Sequence, residues 1–164
     1  RIENGTMQLN LQPEMIEDIF REAIHHLGRN KRKHNISMHL EDDLLMANMD
    51  ARLIIQVLVN LINNAIKYTP ENSNISLNAR RVEDKILIEV QDDGNGVLHP
   101  EQLFEMFYTE NNRGGDTRRG MGLGLSLCKS IIQSHGGTIW VENVTPHGAC
   151  FKFVLDAVEV KLYE

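Results

Sequence analysis

Asparagine and lysine side chains recur along one helical stretch of this sequence. Apolar residues between Ile54 and Ile66 have the spacing of one buried helix face. At about 100° per residue, the opposite sector collects the polar side chains Gln56, Asn60, Asn63, Asn64 and Lys67. Asparagine is unfavourable in the interior of a helix, because its side-chain amide competes with the backbone for hydrogen bonds. The pattern therefore predicts a helix face turned towards a polar ligand, with an ordinary solvated face as the alternative.

A second polar group follows a predicted strand, where Val90-Gln91 leads into Asp92-Asp-Gly94-Asn-Gly96. A carboxylate at a strand end is a good acceptor for an exocyclic amino group such as that of adenine. The two glycines permit positive φ and the close approach of a flat ligand to the backbone. The turn predicts a base-binding site, with a common Asp-Gly turn as the alternative.

Glycines recur again from Gly120 to Leu125, immediately before a predicted helix. They expose backbone N–H groups at the positive end of a helix dipole, where phosphate binds readily. The spacing is not GxGxxG, because Leu125 occupies the place of the third glycine, and GxxxxGK[ST], HRD and DFG motifs are absent. Dinucleotide-binding, P-loop and serine/threonine-kinase folds are therefore excluded.

The segment 108–119 between the two glycine-rich turns is short of apolar residues. It contains Gly114-Gly115 together with Arg113, Arg118 and Arg119. This composition predicts a mobile segment whose arginines could close over phosphate charge. A plain surface loop is the alternative, and the two descriptions are compatible.

The elements that must position these residues come in blocks. Helices are predicted at 13–30, 51–69 and 123–133, and strands at 7–12, 36–40, 45–49, 75–82, 86–90, 138–144 and 150–155. Pro13 suits the first turn of the first helix, and Asp50 is the predicted N-cap of the second. Blocks of strands and helices, rather than strict β-α-β alternation, predict an α+β fold with helices on one face of a mixed sheet.

Composition limits the class of protein. The 164 residues and 41% hydrophobic content suit one domain with a real core. A formal charge of -6 and the lack of a basic stripe argue against a nucleic-acid partner. Cys128 and Cys150 form no CxxC pair, which favours a reduced, cytosolic setting. No membrane span or signal peptide is visible, and a chain that begins at Arg1 is expected to be a fragment.

Four motifs together resemble, in order and spacing, the boxes of the GHKL ATP-binding fold. They are Asn60-x-x-x-Asn64-Ala-x-Lys-Tyr68 (N box), Asp92-x-Gly-x-Gly96 (G1 box), Phe104-x-x-Phe107 (F box) and Gly120-x-Gly-x-Gly124 (G2 box). Sensor histidine kinases, gyrase B, the Hsp90 chaperone and MutL share that fold. The likeness covers roughly residues 8–156. It implies a two-layer α/β sandwich, the Bergerat fold, with about three helices on one face of a mixed sheet.

The resemblance also implies roles for the matching positions. Asn64 would coordinate Mg²⁺ bridging the ATP phosphates, with Asn60 and Lys67 nearby, which agrees with the polar helix face. Tyr68 would lie against the adenine ring, and Asp92 would accept a hydrogen bond from the adenine amino group. The other implied nucleotide contacts are Gly94, Gly96, Phe107, Gly120, Gly122, Leu123 and Gly124, with residues 108–119 as the ATP lid.

One substitution separates kinases from hydrolases within this fold. The hydrolysing branches carry a glutamate four residues before the metal-binding asparagine. In this chain the corresponding residue is Asn60. Its amide cannot act as a base at neutral pH, which disfavours base-assisted hydrolysis of ATP. The closer resemblance is to sensor histidine kinases, which transfer the γ-phosphoryl group to histidine. Asn60, Lys67 and either Arg118 or Arg119 would then be catalytic. A GHKL hydrolase or chaperone-type module, an anti-sigma-type protein-serine kinase and a nucleotide-sensing module remain alternatives.

No histidine in the chain is followed by the acceptor motif of that family, an acidic residue and then Leu-Arg-Thr-Pro. We therefore expect a catalytic domain at 7–158, preceded by linker 1–6 from a missing dimerisation and phosphoacceptor domain and followed by tail 159–164. The expected partners are that domain and a response regulator. The domain is expected to be cytoplasmic, with the parent protein attached to the bacterial inner membrane through its missing parts. Gly148-Ala-Cys-Phe151 resembles the potassium-responsive KdpD-type kinases.

Overall fold

The computed structural model describes residues 2–3, 6–28, 33–104 and 122–158. The α-helices in these ranges are α1 (Ile16–Leu27), α2 (Ala51–Lys67) and α3 (Gly122–Ser134). The strands are β1 (Ile2–Glu3), β2 (Thr6–Met7), β3 (Gln12–Met15), β4 (Asn35–Leu40), β5 (Met46–Met49), β6 (Asn74–Val82), β7 (Lys85–Asp92), β8 (Ile139–Asn143) and β9 (Ala149–Asp156). A short 3-10 helix occupies Pro100–Gln102.

Five strands form one mixed sheet in the order β4-β6-β7-β9-β8. The β4–β6 pair is parallel, and the other three pairs are antiparallel. In β6–β7 Leu77 lies opposite Val90, and in β7–β9 Val90 lies opposite Phe151. Two smaller antiparallel pairs, β1–β2 and β3–β5, stand outside this sheet. The predicted mixed sheet is confirmed.

Alternation along the strands decides which face of the sheet the helices cover. Successive strand residues point to opposite faces, so the buried β6 residues Ile75, Leu77 and Ala79 share one face and join the core with the apolar stripe of α2. The opposite face is polar in its middle. There Lys152 lies 3.3 Å from both Glu89 and Glu142. One apolar face explains why the helices pack on a single side of the sheet.

The N-terminal part differs from the sequence prediction. Residues 8–11 have no regular structure, and the strand lies instead at Gln12–Met15, where it pairs with β5. Pro13 is opposite Asn48 in this pair rather than in the first turn of α1. Among the described residues β3 pairs only with β5, and a proline without an N–H is tolerated on such an edge strand. α1 ends at Leu27, because Gly28 follows with φ +58° as its C-cap.

The start of α2 is tied to the end of α3 by a buried histidine. Asp50 precedes α2 as predicted, but its side chain makes no capping bond, and its Oδ2 accepts the Asn10 N–H at 3.1 Å. The Asp50 N–H donates to His135 Nε2 at 3.0 Å. His135 Nδ1 in turn donates to the Ile131 carbonyl oxygen at 2.8 Å. The imidazole therefore serves as acceptor on one side and donor on the other.

Candidate nucleotide-binding site

The polar face of α2 forms the base of the candidate site. The opposite face of the helix is completely buried at Ile54, Val57, Leu58, Leu61 and Ile62. Asn60 and Asn64 are half-buried and lie one turn apart, and Lys67 at the end of the helix is exposed. The amphipathic spacing of the sequence thus places two amides and one ammonium group on the same side of α2.

Asn64 carries the clearest sign of a missing partner. Its Nδ2 is buried and has no hydrogen-bond partner among the described residues. An unpaired buried polar group costs roughly 1–3 kcal/mol, so we expect a ligand to complete this hydrogen bonding. A half-turn of the amide would present its oxygen, a ligand suited to a hard cation. In the described part of the chain no three His, Cys, Asp or Glu side chains group together as a metal site.

The glycine-rich start of α3 lies against this polar face. A Cβ placed on Gly124 would be 3.9 Å from Asn60 Cγ. The helix begins at Gly122, so its first backbone N–H groups have no partners within the helix. Asn60 and Gly124 are 64 positions apart in the chain and are brought together by the packing of α2 on α3. This arrangement can hold an anion beside the α2 amides.

The C-terminal end of α2 supplies the next two predicted residues. Lys67 Nζ lies 5.3 Å from the centroid of the Tyr68 ring, within cation–π range. α2 ends at Lys67, two residues before the predicted end at Thr69. Thr69 Oγ1 donates to the Ala65 carbonyl oxygen at 2.6 Å, which closes the last turn. The Lys67 ammonium group and the Tyr68 ring therefore lie together at the C-terminal end of α2.

Asp92 is buried at the end of β7, with 3% of its surface exposed. Its Oδ1 accepts two backbone N–H bonds, from Gly94 at 3.0 Å and from Ala149 at 3.2 Å. Both bonds use the same oxygen and fix the carboxylate relative to the backbone. The geometry suits an oriented acceptor for an amino group.

The turn after Asp92 is held by contacts on both sides. A Cβ on Gly94 would be 2.7 Å from Thr69 Cγ2, so the segment that follows α2 packs closely against this turn. Beyond Gly96, which has φ +80°, the Asn143 side chain accepts from Val97 N at 2.8 Å and donates to Val97 O at 2.9 Å. The turn is thus built from three separate segments of the chain.

The structure accounts for the predicted site residues as follows. Asn60 lies against Gly124, and Asp92 accepts a hydrogen bond from the Gly94 N–H. The Lys67 ammonium group lies near the Tyr68 ring. Gly122 and Leu123 lie in the first turn of α3. Phe107, Arg118, Arg119, Gly120 and the predicted lid 108–119 lie outside the described residues. The functional roles of all these residues remain predictions.

Sequence reasoning missed three residues that shape the site. Thr69 contacts the turn at Gly94, and Asn143 braces it at Val97. Gly148, with φ +124°, lets the backbone approach Asp92 so closely that a Cβ would stand 2.2 Å from the Asp92 carbonyl oxygen. An isolated glycine between two strand patterns signals such an approach. No local signal marks Asn143.

No helix in the described ranges is long and apolar enough to cross a lipid bilayer.

The chain is similar to known proteins over most of its length. Residues 49–159 match the family described as histidine kinase-, DNA gyrase B-, and HSP90-like ATPases. The sensor protein KdpD of Clostridium acetobutylicum is 34% identical over 155 residues, covering 93% of this chain and 17% of that protein. The adaptive-response sensory kinase SasA of Synechocystis sp. is 35% identical over 158 residues, covering 93% and 40% respectively. The chain thus spans less than half the length of these curated relatives.

Solved structures give the same fold. The catalytic domain of histidine kinase ThkA superposes with a TM-score of 0.77 at 29% identity, covering 90% of this chain and 96% of that one. ThkA in complex with the response regulator protein TrrA superposes at 0.74 and 26% identity, covering 90% and 42%. The two-layer α/β sandwich predicted from the four motifs is confirmed.

Proposed function

Since this chain belongs to the family of histidine kinase-, DNA gyrase B- and HSP90-like ATPases, whose fold binds ATP, we propose that it catalyses phosphoryl transfer to histidine. The acceptor histidine would lie on a dimerisation domain outside this chain. The similarity to sensor kinases over 93% of the chain supports the proposal.

The observation that carries the proposal is the position of Asn60. It lies against Gly124, at the place where the hydrolysing relatives have a glutamate base. An amide can orient a ligand but cannot remove a proton from water at neutral pH. The site therefore has no general base for hydrolysis at this position, which suits a transferase whose γ-phosphoryl group is passed to a separate acceptor.

Different residues of the chain would bind the two ends of the nucleotide. Asp92 and Tyr68 would bind and orient the adenine. Asn60 and Lys67 would lie near the phosphates, and Asn64, whose Nδ2 is buried and unpaired among the described residues, would hold Mg²⁺. The bound cation would supply neutralisation of the phosphate charge.

We assign the remaining transition-state charge to an arginine, Arg118 or Arg119. Both follow the double glycine of the predicted lid. A guanidinium presents several N–H donors in a plane and remains charged at neutral pH, which suits a transferring phosphoryl group.

The proposed partners are the parent protein's own dimerisation domain and a response regulator. ThkA, which has the same fold, is known in complex with the response regulator TrrA. We further propose that the domain is cytoplasmic and that other parts of the parent protein attach it to the inner membrane. The KdpD-type subfamily remains a prediction, because the identities to KdpD and SasA are 34% and 35%.

The test mixes this chain with γ-labelled ATP, Mg²⁺ and a separately made acceptor hairpin from the parent protein. We expect label on the hairpin that is lost in acid and survives base, as a phosphohistidine does. Asn64→Asp should reduce the labelling because it misplaces the cation. Asn78→Asp makes the same charge change on the face of β6 opposite the buried Leu77 and should retain the labelling.

Each other outcome identifies a different function. Free phosphate without labelled hairpin would mean that the chain is a hydrolase despite Asn60. Label that survives acid and is lost in base would indicate a protein-serine kinase. Tight nucleotide binding without either product would leave a nucleotide-sensing module.

A further inference from the structure

The segment that follows α2 is bound by a histidine from outside the helix. Thr69 donates its hydroxyl hydrogen to the Ala65 carbonyl oxygen at 2.6 Å. The same hydroxyl oxygen lies 2.9 Å from Nε2 of His34, a residue 35 positions away in the chain. His34 is half-buried and immediately precedes β4. One threonine hydroxyl therefore links the last turn of α2 to the start of an edge strand of the sheet.

The two bonds of the Thr69 hydroxyl determine which group donates in the contact with His34. A hydroxyl has one hydrogen, and the Ala65 carbonyl oxygen can only accept, so that hydrogen is already used. Thr69 Oγ1 must therefore accept from His34, and Nε2 carries a proton. His34 Nδ1 is buried and has no partner among the described residues, where Thr69 is thus the only hydrogen-bond partner of the ring.

The same bonds orient the methyl group of Thr69. Oγ1 and Cγ2 are attached to one Cβ atom, so fixing the hydroxyl also fixes the direction of the methyl group. A Cβ placed on Gly94 would be 2.7 Å from Thr69 Cγ2 and 3.3 Å from Asp92 Oδ1. The methyl group and the carboxylate therefore lie on the same side of Gly94, whose N–H donates to Asp92 Oδ1 at 3.0 Å.

The backbone on either side of this contact is held by bonds that do not need the imidazole. Asn72 N donates to the Lys33 carbonyl oxygen at 2.6 Å, and Asn35 N donates to the Ser73 carbonyl oxygen at 2.9 Å. Because both bonds join backbone atoms, we expect the two segments to stay together when the side chain of His34 is replaced. The imidazole can therefore be removed without detaching the segment that follows α2.

We propose that His34 is a positioning residue for adenine binding, which acts through Thr69 on the turn that carries Asp92. The inference rests on the proposed function, in which Asp92 accepts a hydrogen bond from the adenine amino group. Without the imidazole donor, the Thr69 side chain is free to rotate, and its methyl group no longer supports the turn at Gly94. Since this support concerns the adenine end of the nucleotide, its loss weakens ATP binding and leaves phosphoryl transfer at saturating ATP unchanged.

The test compares His34→Leu with the conservative variant His34→Gln. Glutamine Nε2 is separated from Cβ by the same number of bonds as histidine Nε2 and can donate to Thr69, whereas leucine has no donor. His39→Leu is the matched control, because His39 is exposed on β4 and its ring nitrogen contacts Ser37 instead. Thermal unfolding of every variant shows that the comparison is made between folded proteins.

The first measurement needs no nucleotide. The ring nitrogens of His34 are observed by NMR and assigned through their loss in His34→Gln. We expect Nε2 to carry a proton in the unaltered chain. Its resonance should move in Thr69→Val, which keeps the shape of threonine without the hydroxyl group. An unprotonated Nε2, or a resonance that does not respond to Thr69→Val, would overturn the contact.

The second measurement is calorimetric titration with ATP. His34→Leu should weaken binding about 2- to 10-fold, the range of one neutral hydrogen bond, and both His34→Gln and His39→Leu less than about 2-fold. Thr69→Ser keeps the hydroxyl and removes the methyl group, so in this background His34→Leu should weaken ATP binding no further. Equal losses with and without the methyl group would show that His34 does not act through it and would overturn the positioning role.

The third measurement separates binding from transfer. In His34→Leu the ATP concentration for half-maximal hairpin labelling should rise by the same factor as the dissociation constant, while the rate of labelling at saturating ATP stays that of the unaltered chain. A lower rate at saturating ATP would contradict an effect confined to the adenine end.

The failure of this inference can be distinguished from that of the proposed function. Unchanged ATP affinity in His34→Leu, together with hairpin label from the unaltered chain, would overturn the positioning role alone. Absence of hairpin label with the unaltered chain would overturn the proposed transfer, while the titrations would still show whether His34 controls nucleotide binding.

Discussion

The exchange Asp92→Asn tests adenine recognition without dismantling the turn. Asp92 Oδ1 accepts the Gly94 and Ala149 N–H groups at 3.0 and 3.2 Å, and an asparagine oxygen can accept both. Oδ2 takes no part in these two bonds. Replacing it with NH₂ puts a donor in place of one acceptor while the volume of the side chain stays the same.

The structure sets the expected magnitudes. A hydrogen bond to a charged acceptor contributes about 1.5–3 kcal/mol, so Asp92→Asn should weaken ATP binding about 10- to 150-fold. GTP binding should weaken less, because guanine carries an acceptor oxygen where adenine carries its amino group. Folding should lose only about 1–2 kcal/mol, whereas Asp92→Ala leaves two buried N–H groups unpaired and should lose about 2–6 kcal/mol.

The assay is calorimetric titration of ATP and GTP, combined with denaturant unfolding of each variant. Asp93→Asn is the control, because its carboxylate binds Asn74 instead, through Oδ1 to the backbone N at 3.0 Å and Oδ2 to Nδ2 at 2.9 Å. It removes the same charge one residue away and should leave the preference for ATP intact. Unchanged ATP affinity in Asp92→Asn, or equal losses for ATP and GTP, would refute the assignment of Asp92.

Two further predictions concern stability. Gly148→Ala should lower the free energy of unfolding by about 2–6 kcal/mol, because φ is +124° and the new Cβ would stand 2.2 Å from the Asp92 carbonyl oxygen. Denaturant unfolding measures this loss. His135→Phe keeps an aromatic ring but removes the acceptor for the buried Asp50 N–H, and should lower the free energy of unfolding by about 1–3 kcal/mol. Hydrogen exchange of the Asp50 amide should become faster.

Matched control variants test whether the clash at Gly148 and the lost acceptor at His135 cause these losses of stability. Gly136 has φ +77° with no atom within 4 Å of an added Cβ, so Gly136→Ala should cost only the conformational strain of about 1–2 kcal/mol. If Gly136→Ala and Gly148→Ala were equally destabilising, the clash with Asp92 would not be the cause. His25 is exposed on α1, so His25→Phe should leave stability nearly unchanged. A loss as large as that of His135→Phe would contradict the role of the buried acceptor.

The sequence alone determined the long elements and the order of the four motifs. α2 was predictable because its apolar stripe repeats at helical spacing, and that stripe also placed Asn60, Asn64 and Lys67 together. β6, β7 and β9 were predictable because alternation and turn residues are local signals. These features depend on neighbours within a few residues.

Tertiary structure decided what depends on distant partners. Pro13 entered a strand because β5 lies beside it, and the Asp50 carboxylate accepts from Asn10 instead of capping α2. The contact of Gly124 with Asn60 joins two helices that the sequence does not show to be neighbours. Burial and hydrogen-bond partners are set by which segments meet in space, so a single sequence records the side chains but not the neighbours that complete their bonds.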